Sequence, residues 1–204
     1  MTTLEYTLQK QSYNISPYFL FVVDICLRAE ELASLKDTLI QTIDGLPKNI
    51  NVGLITYGSC VQVYELGFPH CTKTHIFKGS NEVAPQELSA MLGMTSKAKS
   101  NNFIMPLSQV EDHLISIIEE LELDPNPVKN NKRPQRATGI ATTVAATLLG
   151  DVAVSLGGRI LLFMGGPCTL GPGLVVSEEL KEGIRSHHEL AKESAKYVGP
   201  ATKV

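Results

Sequence analysis

Asp24-Ile-Cys26-Leu-Arg28 is the segment of this chain best equipped for chemistry. A carboxylate ends an apolar run, and a thiol and a guanidinium follow at alternate positions. An Asp-x-Ser-x-Ser segment in such a place would offer Mg²⁺ a carboxylate and two hydroxyls, all hard oxygen ligands. Thr138, at the start of a small-residue run, would add a further hydroxyl. Here the first hydroxyl position is Cys26, whose soft sulfur is a poor Mg²⁺ ligand. The second is Arg28, a fixed positive charge that repels the ion. Met164-Gly-Gly-Pro-Cys168, a later loop, offers no carboxylate. Asp24, Cys26, Arg28 and Thr138 therefore read as a degenerate metal site with no metal expected. The alternative, motivated by Asp24 and Thr138, is a metal-dependent ligand-binding domain.

Three other groupings have a possible chemistry and a plainer reading beside it. Gly165-Gly-Pro-Cys-Thr-Leu-Gly-Pro-Gly173 suggests a phosphate-binding loop. It lacks a Gly-Lys-Ser/Thr ending, and its two prolines remove amide donors, which favours a structural turn or contact loop. Cys60, His70, Cys71 and His75 are zinc-type side chains at a spacing that fits no standard finger, so they read as ordinary loop and strand residues. Lys129, Lys132, Arg133 and Arg136 form the only local cationic cluster. It is either a solvated loop or a contact for acidic lipid headgroups or an acidic partner. His187-His188 reads as exposed polar surface, and no Ser-His-Asp or Cys-His set can be assembled from spacing.

The composition narrows the classes. With 204 residues, 43% hydrophobic and 19% charged, the chain can bury the core of one large domain. A net charge of −3 and the absence of Trp argue against a nucleic-acid binder. The first residues carry no basic-then-apolar leader, and no segment reaches the roughly 20 apolar residues of a membrane span. The four cysteines form no CxxC pair, so reduced thiols in the cytosol are expected, with any membrane association peripheral.

The elements that must position these residues follow from periodicity. Leu4 to Leu8 alternates like an edge strand. Phe19 to Val23, after Pro17, is an unbroken aromatic and β-branched run, the pattern of a central strand buried on both faces and ending at Asp24. Leu32, Leu35, Leu39 and Ile43 predict a helix stopped by Gly45 and Pro47. Val52 to Tyr57 predicts a second buried strand, turned at Gly58-Ser59 into a hairpin partner over Val61 to Tyr64. His75 to Phe77 suits a short strand, Pro85 to Leu92 a short helix and Gly93 to Met105 a loop. Leu107, Val110, Leu114, Ile117, Ile118 and Leu121 predict an amphipathic helix with Pro106 at its first turn. A small-residue helix from Ile140 to about Val154 and a third buried strand, Gly157 to Met164, come next. His187 to Tyr197 reads as one exposed helix. This order is α/β, a mostly parallel sheet flanked by helices.

Seven stretches also resemble a known family. Tyr18-Phe-Leu-Phe-Val-Val-Asp-Ile-Cys-Leu, Glu30-Glu-Leu-Ala-Ser-Leu-Lys-Asp-Thr-Leu39, Leu46-Pro47, Val52-Gly-Leu-Ile-Thr-Tyr-Gly58 and Val61-Gln-Val-Tyr-Glu-Leu-Gly67 match it in order. So do Lys132-Arg-Pro-Gln-Arg-Ala-Thr-Gly139 and Phe163-Met-Gly-Gly-Pro-Cys-Thr-Leu-Gly-Pro-Gly173. They are similar to the trunk domain of the inner-coat subunit of COPII vesicles, the Sec-twenty-three family, over almost the whole chain. The resemblance implies a von Willebrand A-like (Rossmann-like) fold across residues 1–204, with 67–105 as an irregular insertion and the fold continuing past Val204 in a longer protein. It implies a cytoplasmic scaffold of endoplasmic reticulum to Golgi transport, peripheral on the endoplasmic reticulum membrane and without an enzymatic site of its own. Implied partners are a Sec-twenty-four family adaptor, a Sar-type small GTPase and the outer COPII coat. The parent protein would stimulate GTP hydrolysis through an arginine outside this chain, and its zinc would sit in a separate domain. Arg133, Arg136, Gly165, Gly166 and Pro167 are the candidate partner contacts.

Overall fold

In the computed structural model, which describes residues 16–68, 70–94, 101–126, 128–153, 157–182, 186–192 and 194–202, the apolar run after Pro17 is strand β1 (Tyr18–Asp24). Its two faces are both covered, so it needs no polar alternation. Leu20 and Val22 point to one face of the sheet, and Phe21 and Val23 to the other. The expected edge strand at Leu4–Leu8 lies outside the described residues.

β1 pairs in parallel with β2 (Asn51–Tyr57) and with β6 (Arg159–Phe163). Beyond β2 the hairpin strand β3 (Cys60–Tyr64) and then β4 (Thr74–Lys78) add antiparallel. The order is β4-β3-β2-β1-β6, with the two-residue β5 (Met105–Pro106) also antiparallel to β2. The sheet is thus mixed, its parallel part being the three strands that lie beside Asp24.

Helices cover both faces. On one, α1 (Ala29–Gly45) and α3 (Leu107–Glu119) bury Leu39, Ile43, Leu107, Leu114 and Ile118 against Phe21, Val23, Val52 and Leu54. On the other, α4 (Thr138–Val152) buries Ile140, Ala141, Val144, Ala145 and Leu148 against Leu20, Val22, Ile55 and Tyr57. Small side chains on α4 let its backbone approach the sheet closely, as its composition predicts. Part of the stretch 67–105 is also built into this frame. β4 extends the sheet, and α2 (Pro85–Met91) packs Leu88 into the core shared with α4.

Two expectations are corrected. The strand at 157–164 was expected to be buried, but β6 lies at a sheet edge and Leu162 is 40% exposed. β6 pairs with β1 alone, and no strand among the described residues takes its other side. The helix expected over His187–Tyr197 is confined to α5 (His187–Ala191), and a second short helix, α6 (Val198–Ala201), starts beyond that stretch. Between them the chain turns back so that Lys196 and Tyr197 both reach the Glu182 carboxylate, the Tyr197 hydroxyl at 2.7 Å.

Position decides what these strands tolerate. Leu20→Ala opens a cavity in a fully buried site and is expected to cost about 2–5 kcal/mol. Leu162→Ala, at the exposed edge, is expected to change stability by no more than about 0.5 kcal/mol. Urea unfolding of the two variants checks the contrast.

Candidate functional site

The carboxyl ends of β1 and β6, the Gly58-Ser59 turn and the segment leading into α4 converge at one end of the sheet, the usual crevice of an open α/β sheet. Asp24, the last residue of β1, sits at the centre with only 1% of its surface exposed. A bare carboxylate cannot remain there without partners, and the fold supplies three. The Cys26 amide donates to Oδ1 at 2.7 Å, the Gly165 amide to Oδ2 at 2.9 Å, and the Arg136 Nε to Oδ2 at 2.7 Å.

Arg136 is the residue that redefines the site. Its Nη2 donates to the Cys26 carbonyl at 2.6 Å, so one guanidinium ties the end of β1 to the loop after it. Its backbone is held as firmly. The Arg136 amide donates to Thr169 Oγ1 at 2.8 Å, the Thr169 hydroxyl donates to the Pro134 carbonyl at 2.6 Å, and the Thr169 and Leu170 amides both donate to the Arg136 carbonyl. The side chain is 8% exposed. Arg136 was expected on a contact surface with Arg133, and here it is an internal group. The glycines opposite make room for it: a Cβ on Gly166 would lie 2.5 Å from Arg136 Nη1, and one on Gly165 only 2.1 Å from a Leu27 methyl.

The other ligand positions of the supposed metal site point elsewhere. The Cys26 thiol donates to the Gln135 carbonyl at 3.4 Å, and burial, with the nearby Asp24 charge, pushes its pKa up to about 12. Arg28 does not face Asp24. Its side chain is 83% exposed and pairs with Glu31 at the N-terminus of α1, where Glu31 also accepts from the Arg28 amide. The charge that excludes a cation from Asp24 is therefore Arg136, not Arg28. Thr138 Oγ1 is buried without a hydrogen bond, and the Tyr57 hydroxyl that it approaches donates instead to the Phe163 carbonyl at 3.1 Å. Burial is the main cause that raises the Tyr57 pKa, with Asp24 second. One carboxylate already neutralised by a guanidinium, a thiol turned to a carbonyl and a second acid, Asp124, committed to Ser59 and Asn126 are a poor ligand set for Mg²⁺.

The remaining groupings resolve similarly. In the Gly165–Gly173 loop the amides of Gly165, Thr169, Leu170 and Gly173 all donate to protein acceptors, so none of these is available to cradle a phosphate. Cys60 lies on β3 opposite Lys78, while His75 on β4 contacts Glu65. Among the described residues no three His, Cys, Asp or Glu side chains are grouped to hold a metal. Lys132 pairs with Glu178 and Glu179, and Arg133 Nη1 donates to the Ser177 and Glu179 carbonyls. Gly165 and Pro167 are exposed and Gly166 half-buried, at the tip of the loop after β6.

One contributor was invisible to sequence reasoning. Asp124 lies in the loop after α3, where its carboxylate accepts the Ser59 amide at 2.6 Å, the Ser59 hydroxyl and the Asn126 amide at 2.8 Å, while its own amide donates to the Ile25 carbonyl. It ties the β2–β3 turn to the loop after β1. The local Asp-Pro-Asn pattern signals a self-bonded turn, but nothing local signals the distant Ser59.

A family model described as the Sec23/Sec24 trunk domain matches residues 14–204. The chain belongs to that family. The trunk fold also appears in a solved structure, the crystal structure of the human COPII-coat protein Sec24c. It aligns with a TM-score of 0.52 at 18% identity, over 79% of this chain and 21% of the other. At that identity the likeness concerns the fold, and the chain spans about a fifth of the protein it matches.

Two tests address the centre of this trunk. Arg136→Ala leaves Asp24 charged and buried without its cation, and is expected to cost about 3–5 kcal/mol. The double variant Asp24→Asn, Arg136→Met is expected to recover part of that loss, measured by a double-mutant cycle in urea unfolding. Cys26, with its pKa near 12, holds far less thiolate at pH 8 than an ordinary thiol. Iodoacetamide at pH 8 followed by peptide mass spectrometry is expected to label exposed Cys71 well before Cys26.

Proposed function

We propose that this trunk is a protein-interaction scaffold of the COPII coat, acting in endoplasmic reticulum to Golgi transport with no chemistry of its own. The observation that carries the reading is the family match across 14–204, taken with a crevice whose carboxylate is already neutralised from within by Arg136. The likeness to a COPII-coat protein supports the coat assignment. No described helix is long and apolar enough to cross a membrane, which is compatible with peripheral recruitment to the cytosolic face of the endoplasmic reticulum.

On this reading the trunk pairs with the trunk of a Sec-twenty-four family adaptor and contributes to binding of a Sar-type GTPase, with the outer coat assembling on the parent protein. GTPase stimulation belongs to an arginine elsewhere in the parent, and zinc to a separate domain. The Gly165–Gly173 loop is the favoured contact because its exposed tip rests on the fixed Asp24–Arg136 pair beneath it. A rigid loop loses little entropy on docking.

Pull-down of the parent protein with the adaptor trunk, and separately with the GTP-loaded GTPase, tests the reading. Stoichiometric capture of both is expected, and Pro167→Arg is expected to weaken at least one by about tenfold without altering thermal stability. Failure of the intact parent to bind either partner would sink it.

A further inference from the structure

The crevice beside the Asp24–Arg136 pair opens into a groove of about 780 Å³ between the loop after β1 and the segment leading into α4. Leu27, Leu123 and Val128 line it, with Leu123 and Val128 exposed although both are large and apolar. Its charged groups are unevenly satisfied. Every lining carboxylate has donors: Glu31 from Arg28, Asp124 from Ser59 and Asn126, and Glu178 from Gln135 and Lys132. Two cations are different. Lys129 has no ion-pair partner among the described residues. Arg133 is pinned through Nη1 by the Ser177 and Glu179 carbonyls, and among the described residues no carboxylate pairs with it. The unused capacity of the groove is therefore cationic and donor-rich, held at a fixed place beside apolar walls.

We propose that this groove docks an acidic segment of a partner protein, an extended peptide in which carboxylates alternate with apolar side chains. The carboxylates meet Lys129 and the free edge of the Arg133 guanidinium, and the apolar groups cover Leu123 and Val128. A guanidinium pre-positioned by backbone carbonyls is suited to planar carboxylate recognition. An anionic membrane is the poorer occupant. Lipid-binding patches present roughly four to eight accessible cations on an open surface, whereas here two cations sit within a walled groove and the remaining cations are paired. The proposal rests on the scaffold reading, for which it supplies the partner chemistry of one surface.

Fluorescence anisotropy on the whole chain tests it, using a labelled decapeptide of alternating glutamate and leucine and a second with glutamine in place of glutamate. The acidic peptide is expected to bind at least about tenfold tighter, and to weaken steeply as salt rises from about 0.05 to 0.5 M. Lys129→Glu is expected to reduce its affinity by about fivefold or more. Arg133→Gln should do the same. Lys129 is exposed and unpaired, so its variant remains informative if Arg133→Gln unfolds, while Lys196→Gln, outside the groove, should bind as the native chain does. Equal binding of the two peptides, no binding of either, or indifference to Lys129→Glu overturns the proposal. So does Lys129-dependent binding to vesicles of phosphatidylserine and phosphatidylcholine in place of the acidic peptide. Adaptor capture by the native parent protein separates the two readings: no acidic-peptide binding by the native chain with intact capture defeats the groove proposal alone, and failed capture with intact peptide binding defeats the scaffold reading alone.

Discussion

The end of the sheet is organised by one buried ion pair. Asp24 is fixed at the end of β1 by the pairing of that strand on both sides, so its carboxylate cannot retreat to solvent. Removing two charges from water costs several kcal/mol per ion, and direct contact offsets this only when the remaining hydrogen-bonding capacity is also met. Here it largely is: the Cys26 and Gly165 amides complete Asp24, and the Cys26 carbonyl takes a second donor from Arg136. Such a pair is weak proof of net stability. It does set a strict geometric requirement, because displacement of either partner leaves the other buried and charged.

The surrounding loops follow from that requirement. Arg136 can reach Asp24 only if the segment before α4 descends into the crevice, and Thr169 and Leu170 hold its backbone there. The loop after β6 must then pass over the guanidinium at a distance that excludes a side chain at Gly166, while Gly165 leaves room for Leu27. Asp124 acts in parallel from the opposite side, joining the β2–β3 turn to the loop after β1. Two carboxylates thus set the shape of one end of the domain.

The strands and helices were legible because apolar periodicity is a local signal. The run at 19–23, the 107–121 stripe and the hairpin at Gly58-Ser59 each contain their own evidence of burial and turning. β6 was misjudged for the same reason: an apolar run records the capacity to be buried, while exposure at an edge depends on neighbours in space. The site was legible by elimination only. Cys26 and Arg28 argue against a metal on ligand chemistry, but the charge in contact with Asp24 is that of a different arginine, Arg136. Arg28 is four residues from Asp24 and faces away, whereas Arg136 is 112 residues distant and in contact. Among four clustered cations, sequence distinguishes none by depth, and the bonds of the segment before α4 to Thr169 and Leu170 determine which one turns inward.

Replacing a metal ion with a tethered guanidinium changes what such a crevice can recognise. A metal held by few protein ligands keeps an open coordination position, so a partner is captured at a point by the group that completes the shell. Arg136 directs Nε and Nη2 inward, to Asp24 and to the Cys26 carbonyl, with Gly166 close over Nη1. It offers no vacant coordination site and cannot exchange. On the proposed scaffold reading, recognition spreads over the surfaces around the pair: the 165–167 tip, Leu123 and Val128, and the cations Lys129 and Arg133. A contact spread in this way tolerates divergence at any single residue, provided the fixed centre beneath it is retained.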